Sequence, residues 1–248
     1  MTPVPFYYDW TFWTAVVALL ALVLSQLPPL YVLFSPGRLE LEAFDRIQVT
    51  HWMGKPNAVL HIILMNTGGH GIKVKSLSLA FKPENGDEFT LQGRGYFQSP
   101  ADQSAVLLTS FRLSALGEWK HIVNFFAPSS RTEERELDQI KSAIRNNIVP
   151  RKALPGNRDV FLEATPDLVT PAHNFFRREF RWNPGEYEVT LHIRAEPERA
   201  SIERKFRITI FESDTAQLRD YTACYKYGAG VYYTDTDLVP VFLPLIPM

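Results

Sequence analysis

Residues 59–81 read VLHIILMNTGGHGIKVKSLSLAF, and the fold class turns on them. Val59 to Met65 is a dense apolar run, which suits a central strand buried on both faces. Asn66-Thr67-Gly68-Gly69 supplies a turn, because Asn and Gly tolerate positive φ. Ile72, Val74, Leu77, Leu79 and Phe81 follow, broken by Lys73, Lys75, Ser76 and Ser78. Their alternation slips between Val74 and Leu77, which predicts a β-bulge.

The same grammar extends outward. Leu39, Leu41 and Ala43 alternate with Glu40 and Glu42, and Ile47 and Val49 with Gln48 and Thr50. Lys82 to Asp87 is a turn, and Phe89 and Leu91 open another strand. Near the end, Tyr187, Val189, Leu191 and Ile193 form one half-buried strand after the turn Asn183-Pro184-Gly185. Phe206, Ile208 and Ile210 form its partner across the polar connection 195–201. Short strands between turns predict a mainly β, antiparallel sandwich or barrel. One helix interrupts it. Ser130 and Glu133 have capping-box spacing, Leu137, Ile140, Ile144 and Ile148 share one face, and Pro150 is expected to end the run, giving a helical insertion at 129–149.

Ahead of the β region, no charge occurs between Asp9 and Arg38. Residues 10–27 read WTFWTAVVALLALVLSQL, whose rise as a helix is about 27 Å, close to a bilayer's hydrocarbon core. Trp10 and Trp13 suit a headgroup boundary, and Val16, Leu19, Leu20 and Leu24 suit the apolar interior. Pro28 and Pro29 stop or kink the helix. The organisation expected is a flank at 1–9, a transmembrane helix with a Pro-containing exit at 10–34, a β domain at 35–237 and an apolar, Pro-rich tail at 238–248. That tail, LVPVFLPLIPM, reads as an extended strip packed on the domain, with docking to a partner or a membrane surface as the alternative. Arg38, Arg46 and Lys55 follow the span and no basic side chain precedes it. This favours an outside N-terminus and a cytoplasmic domain at a bacterial inner membrane, with a periplasmic domain as the alternative.

Charge and cysteine narrow the function. Lys plus Arg number 26 and Asp plus Glu 27, a net charge of −1, so no bulk positive field exists to hold nucleic acid. The one cysteine, Cys224, excludes an intramolecular disulfide and a multi-cysteine zinc site. No zinc-protease, nucleophile-elbow or phosphate-loop motif occurs, and no two histidines have metal-ligand spacing, so neither a catalytic residue nor a metal or cofactor is assigned. His70 lies in a glycine turn. Asp235 and Asp237 flank Thr236 and, in an extended chain, both face one side toward a hard cation; a solvated turn is the plainer reading. Tyr225, Tyr227, Tyr232 and Tyr233 surround Gly228 and Gly230 and suit either adaptable recognition or ordinary packing. Arg177, Arg178 and Arg181 alternate with aromatic residues, the profile of a strand with a wet face or of a surface meeting anionic lipid headgroups. These tyrosines and arginines form the candidate binding surface.

The opening Asp-Trp-Thr-Phe-Trp, the Pro-containing exit and the strand closing on Asn-Thr-Gly-Gly resemble a group of bacterial single-pass membrane proteins. Residues 57–81 and 183–211 are similar to bacterial immunoglobulin-like domains, although a cysteine pair is lacking and a long helix is added. The resemblance implies an N-terminal transmembrane helix followed by an immunoglobulin-like antiparallel β-sandwich. It carries no established activity and assigns no functional residue. The expected function is a membrane-anchored interaction module that binds the bilayer and another membrane or membrane-proximal protein, without catalysis and open to homo-oligomerisation. The alternatives are an accessory or effector subunit of a bacterial membrane complex acting through its span, defence-related in one version, and an unrecognised hydrolase.

Overall fold

The computed structural model describes residues 10–26, 35–98, 104–157, 160–233 and 240–248. Twelve strands form one antiparallel sheet: β1 (Leu39–Ala43), β2 (Arg46–Trp52), β3 (Lys55–Asn66), β4 (Ile72–Pro83), β5 (Phe89–Phe97), β6 (Val106–Leu107), β7 (Phe111–Leu113), β8 (Glu118–Phe126), β9 (Gly185–Glu196), β10 (Ile202–Ile210), β11 (Val241–Pro244) and β12 (Ile246–Pro247). The helices are α1 (Trp10–Gln26), α2 (Arg131–Lys152), α3 (Pro166–Glu179) and α4 (Glu212–Asp220), the last running into a 3₁₀ segment, Tyr221–Tyr227.

Strand order is β11-β2-β3-β8-β5-β4-β9-β10-β12. β11 and β12 are separated by Leu245 alone, so one short segment sits at both ends of that path. Its first half pairs with β2, Val241 opposite Val49 and Pro244 opposite Arg46. Its second half pairs with β10, Ile246 opposite Arg207 and Pro247 opposite Phe206. Leu245 N–H donates to the Asp45 carbonyl and Met248 N–H to that of Lys205. The described tail therefore draws the sheet into a nearly closed barrel, with Val241, Leu243 and Leu245 buried inside. The two sheets of an immunoglobulin-like sandwich are replaced by this single curled one. Its prolines fit because each falls in a short stretch at a margin of the sheet, where few ladder donors are required.

The sequence is right about the bulge, since the β4–β9 register shifts between Val74 and Ser76. It is wrong about the surroundings of β3. Burial along β3 alternates, and only one face is covered: Leu60, Ile62 and Leu64 are buried, whereas Val59, His61, Ile63 and Met65 are half-exposed.

α2 begins at the expected cap. Ser130 accepts from the Glu133 N–H, Glu133 accepts from the Ser130 N–H, and Leu137, Ile140, Ile144 and Ile148 are buried. Pro150 does not end the helix, which runs on to Lys152. A proline this near the C-terminus frees only a carbonyl close to groups that are already unpaired. The insertion is also larger than one helix. α3 holds Arg177 and Arg178, in place of the wet-faced strand expected there, and packs against α2.

These helices gather at the tip of the β2–β3 hairpin. Gly54, at φ +89°, brings the chain so close to the backbone of Phe176 that a Cβ would sit 2.6 Å from its carbonyl oxygen. Trp182, fully buried, donates from Nε1 to the Thr50 carbonyl at 2.6 Å and meets Phe81 and Phe89 edge-on.

α1 is a separate matter. It covers 17 residues, a length of about 25 Å against roughly 30 Å of hydrocarbon core. Among the described residues no helix is long and apolar enough to cross a membrane, which corrects the expected span. The flank 1–9 and the Pro-containing exit at 27–34 lie outside the described residues.

Candidate functional site

The expected binding residues do not form one surface. Arg177 and Arg178 are adjacent on α3 but meet different surroundings. Arg178 donates through Nη1 and Nη2 to both carboxylate oxygens of Glu136, at 3.2 and 2.7 Å, and through Nε to Glu179 at 2.9 Å. These bonds hold its pKa above the ordinary arginine value. Arg177 instead donates from Nη2 to the Asn174 side-chain oxygen. It lines a groove of about 730 Å³ with Thr170, His173, Phe176, Phe180, Asn183, Arg219 and Thr222. Arg181 is exposed, and its carbonyl accepts from the buried Tyr187 hydroxyl.

The tyrosines do not form one patch. Tyr225 is fully buried against His173 and Phe176, and burial pushes its phenol pKa up. Tyr227 donates to the Glu163 carboxylate at 3.0 Å and stacks edge-on with Phe161. Bonds from Lys226 and Tyr227 hold Glu163 below the usual carboxylate range. Tyr232 and Tyr233 line a second, more polar hollow of about 500 Å³ beside Trp52, Lys141 and Arg145. Lys141 sits 4.1 Å from the Trp52 ring centre.

A further hollow, which holds none of the expected binding residues, lies on the uncovered outer face of the sheet. Phe44 and Phe242, each 56% exposed, flank a shallow apolar hollow with Val59, His61 and Ile122. Burial first, then the charge of Lys120, keeps the His61 pKa below its ordinary value.

The anchor residues Trp10, Trp13, Leu19, Leu20 and Leu24 are exposed and Val16 is half-exposed. Asp235 and Asp237 lie outside the described residues. His70 bonds through Nδ1 to the Ser35 carbonyl at 2.8 Å, a turn contact. Among the described residues no group of three His, Cys, Asp or Glu side chains is placed to hold a metal ion.

Sequence reading missed His173, Asn183, Arg219 and Thr222. A signal existed for part of the groove: Thr170, His173 and Arg177 fall at i, i+3 and i+7, one face of a helix that opens on Pro166. Asn183 and Arg219 carry none, since tertiary folding alone brings them to α3. Compared with known protein families and with curated proteins, the chain matches none of either.

Proposed function

We propose that the protein is a bilayer-anchored interaction module whose barrel acts as the sandwich-like body of that module. The observation that carries this reading is α1. Its Trp10, Trp13, Val17, Leu19, Leu20, Leu22, Val23 and Leu24 are all exposed, and among the described residues it makes no extensive contact with any strand or other helix. Each such aliphatic side chain left in water gives up about 1.5–3 kcal/mol relative to burial, and lipid is the medium that takes an apolar surface running all round a helix. The uncovered face around Phe44 and Phe242 supports a second contact, with the apolar surface of a membrane-proximal protein. Arg38 and Arg46 follow the anchor and favour a cytoplasmic body. Lys55 drops out of that count because it is buried and paired with Glu133.

Flotation tests the anchor. The full chain is expected to rise with phosphatidylcholine vesicles in a density gradient. The double variant Leu19→Asp, Leu20→Asp is expected to stay at the bottom, since it removes two aliphatic side chains worth about 1.5–3 kcal/mol each in an apolar medium and adds two charges that lipid excludes. A wild-type chain that remains at the bottom overturns the proposal. Protease digestion of sealed membranes reads the sidedness. A partner recovered with wild type but not with Phe44→Asp, Phe242→Asp supports the sheet face as the contact, and equal recovery removes it.

A further inference from the structure

The groove beside α3 carries two arginines that are oriented by asparagine amides. Among the described residues, neither Arg177 nor Arg219 pairs with a carboxylate. Arg177 donates to the Asn174 amide oxygen at 2.5 Å and Arg219 to that of Asn183 at 3.2 Å. The Arg219 guanidinium also lies 5.1 Å from the Phe180 ring centre. An amide oxygen occupies one of the five N–H donors of a guanidinium and cancels none of its charge. The asparagines therefore orient two forks and leave both positive.

His173 stands between these arginines and the buried Tyr225 ring. Burial, then the Arg177 charge, keeps its pKa below the ordinary value, so at neutral pH it adds a donor and an acceptor without a third charge. Thr222 brings a hydroxyl, that of Thr170 donates to the Pro166 carbonyl at 3.0 Å, and Phe176 and Phe180 contribute two rings to the wall. At about 730 Å³ the space lies within the range of small-molecule sites.

We propose that this groove binds a phosphate monoester carried on a small aromatic or apolar body. Arg177 and Arg219 grip the phosphate oxygens, the Thr222 hydroxyl and the Asn183 amide supply further donors, and Phe176 and Phe180 border the apolar portion. A phosphate fits better than a carboxylate. One guanidinium fork satisfies a carboxylate, whereas a phosphate of charge about −1.5 to −2 with three acceptor oxygens uses both. This site stands independently of the membrane anchor.

Calorimetric titration of the full chain in non-ionic detergent with phenyl phosphate tests the site, with inorganic phosphate and benzoate as controls. Saturable one-to-one binding is expected, about tenfold tighter than for either control. Arg177→Gln with Arg219→Gln is expected to weaken it about a hundredfold, each arginine supplying a charge-assisted bond. Both side chains are exposed, and circular dichroism verifies that the variant is folded. No saturable heat up to roughly 10 mM, or unchanged affinity in the folded double variant, overturns the proposal. Competition with water-soluble dibutyryl phosphatidic acid identifies the source. Displacement at lower concentrations than phenyl phosphate supports a lipid headgroup in the site, and weaker displacement supports a soluble ester.

Discussion

The tip of the β2–β3 hairpin and the groove beside α3 are built from the same kinds of residue: a histidine, basic side chains and phenylalanine rings. At the tip the histidine and the lysine are both committed to structure. His51, 3% exposed, lies 2.7 Å through Nε2 from the Leu218 carbonyl and accepts at Nδ1 from the Gly54 N–H at 3.1 Å. Lys55, 7% exposed, donates to the Pro128 carbonyl and to the Glu133 carboxylate. In the groove, a few residues away across Phe176, the cations keep amide partners and His173 has a ring contact. Burial is what separates the two. A charge taken out of water at the tip is destabilising unless it is neutralised by a partner, while an exposed arginine can keep its charge for a ligand.

Removing the tip's largest anchor gives the largest effect. Trp182→Ala deletes the bond to Thr50 and the contacts with Phe81 and Phe89, and loosens the site where Thr215 donates to the Trp182 carbonyl. A loss of about 3–5 kcal/mol is expected in urea unfolding. A loss below about 1 kcal/mol, the scale of an ordinary substitution, means that the helices do not depend on the hairpin.

Glu133→Ala comes next. It leaves the Lys55 ammonium almost buried with one carbonyl partner and removes the bond that the Ser130 N–H donates to the Glu133 side chain, so a loss of about 2–3 kcal/mol is expected. Glu133→Gln keeps an acceptor in place and is expected to lose about half as much. Equal losses from the two variants would show that charge, rather than hydrogen bonding, dominates at the tip.

Acid sharpens the contrast in a third way. Burial, only partly offset by the Leu218 bond, holds the folded-state pKa of His51 below its ordinary value. The tautomer that meets both partners carries its proton on Nε2, and a second proton on Nδ1 would point at the Gly54 N–H. The unfolded chain therefore binds more protons than the folded one below the ordinary pKa of about 6.5, and stability rises with pH through that window. Unfolding at about pH 5.5 should cost roughly 1 kcal/mol less than at pH 7.5. The depressed Glu133 pKa acts in the same direction but at lower pH, as that carboxylate is protonated. A flat profile from pH 7.5 to 5.5 would place a charged histidine at the tip.

Much of the barrel was legible because its signals are local. The run 59–81 carries its strands, turn and bulge in adjacent residues, and α2 carries its cap and apolar face within five turns. Closure was not legible. It depends on Val241 and Ile246 finding β2 and β10 across the chain, and three prolines in the tail disguise the strands. α3 was obscured because Phe175, Phe176, Phe180 and Trp182 all pack inside, which blurs its periodicity. The outer face of β3 misled for the opposite reason. Val59, Ile63 and Met65 are as apolar as a covered strand requires, and nothing in the alternation tells an inner layer from a half-exposed one.

The smallest expected effect separates the three arginines. Arg178 is held by two carboxylates in bidentate geometry, so Arg178→Gln should lose up to about 1 kcal/mol, the upper range for exposed pairs. Arg177→Gln and Arg219→Gln remove no ion pair found among the described residues, and unfolding free energies should stay within about 0.5 kcal/mol of wild type. High salt should narrow the gap, since screening weakens only the paired arginine. If Arg177→Gln proves as costly as Arg178→Gln, its bond to Asn174 is holding α3 together and the groove is a second structural site. If it proves neutral while abolishing phenyl phosphate binding, the fold has placed a charge where the body does not need it.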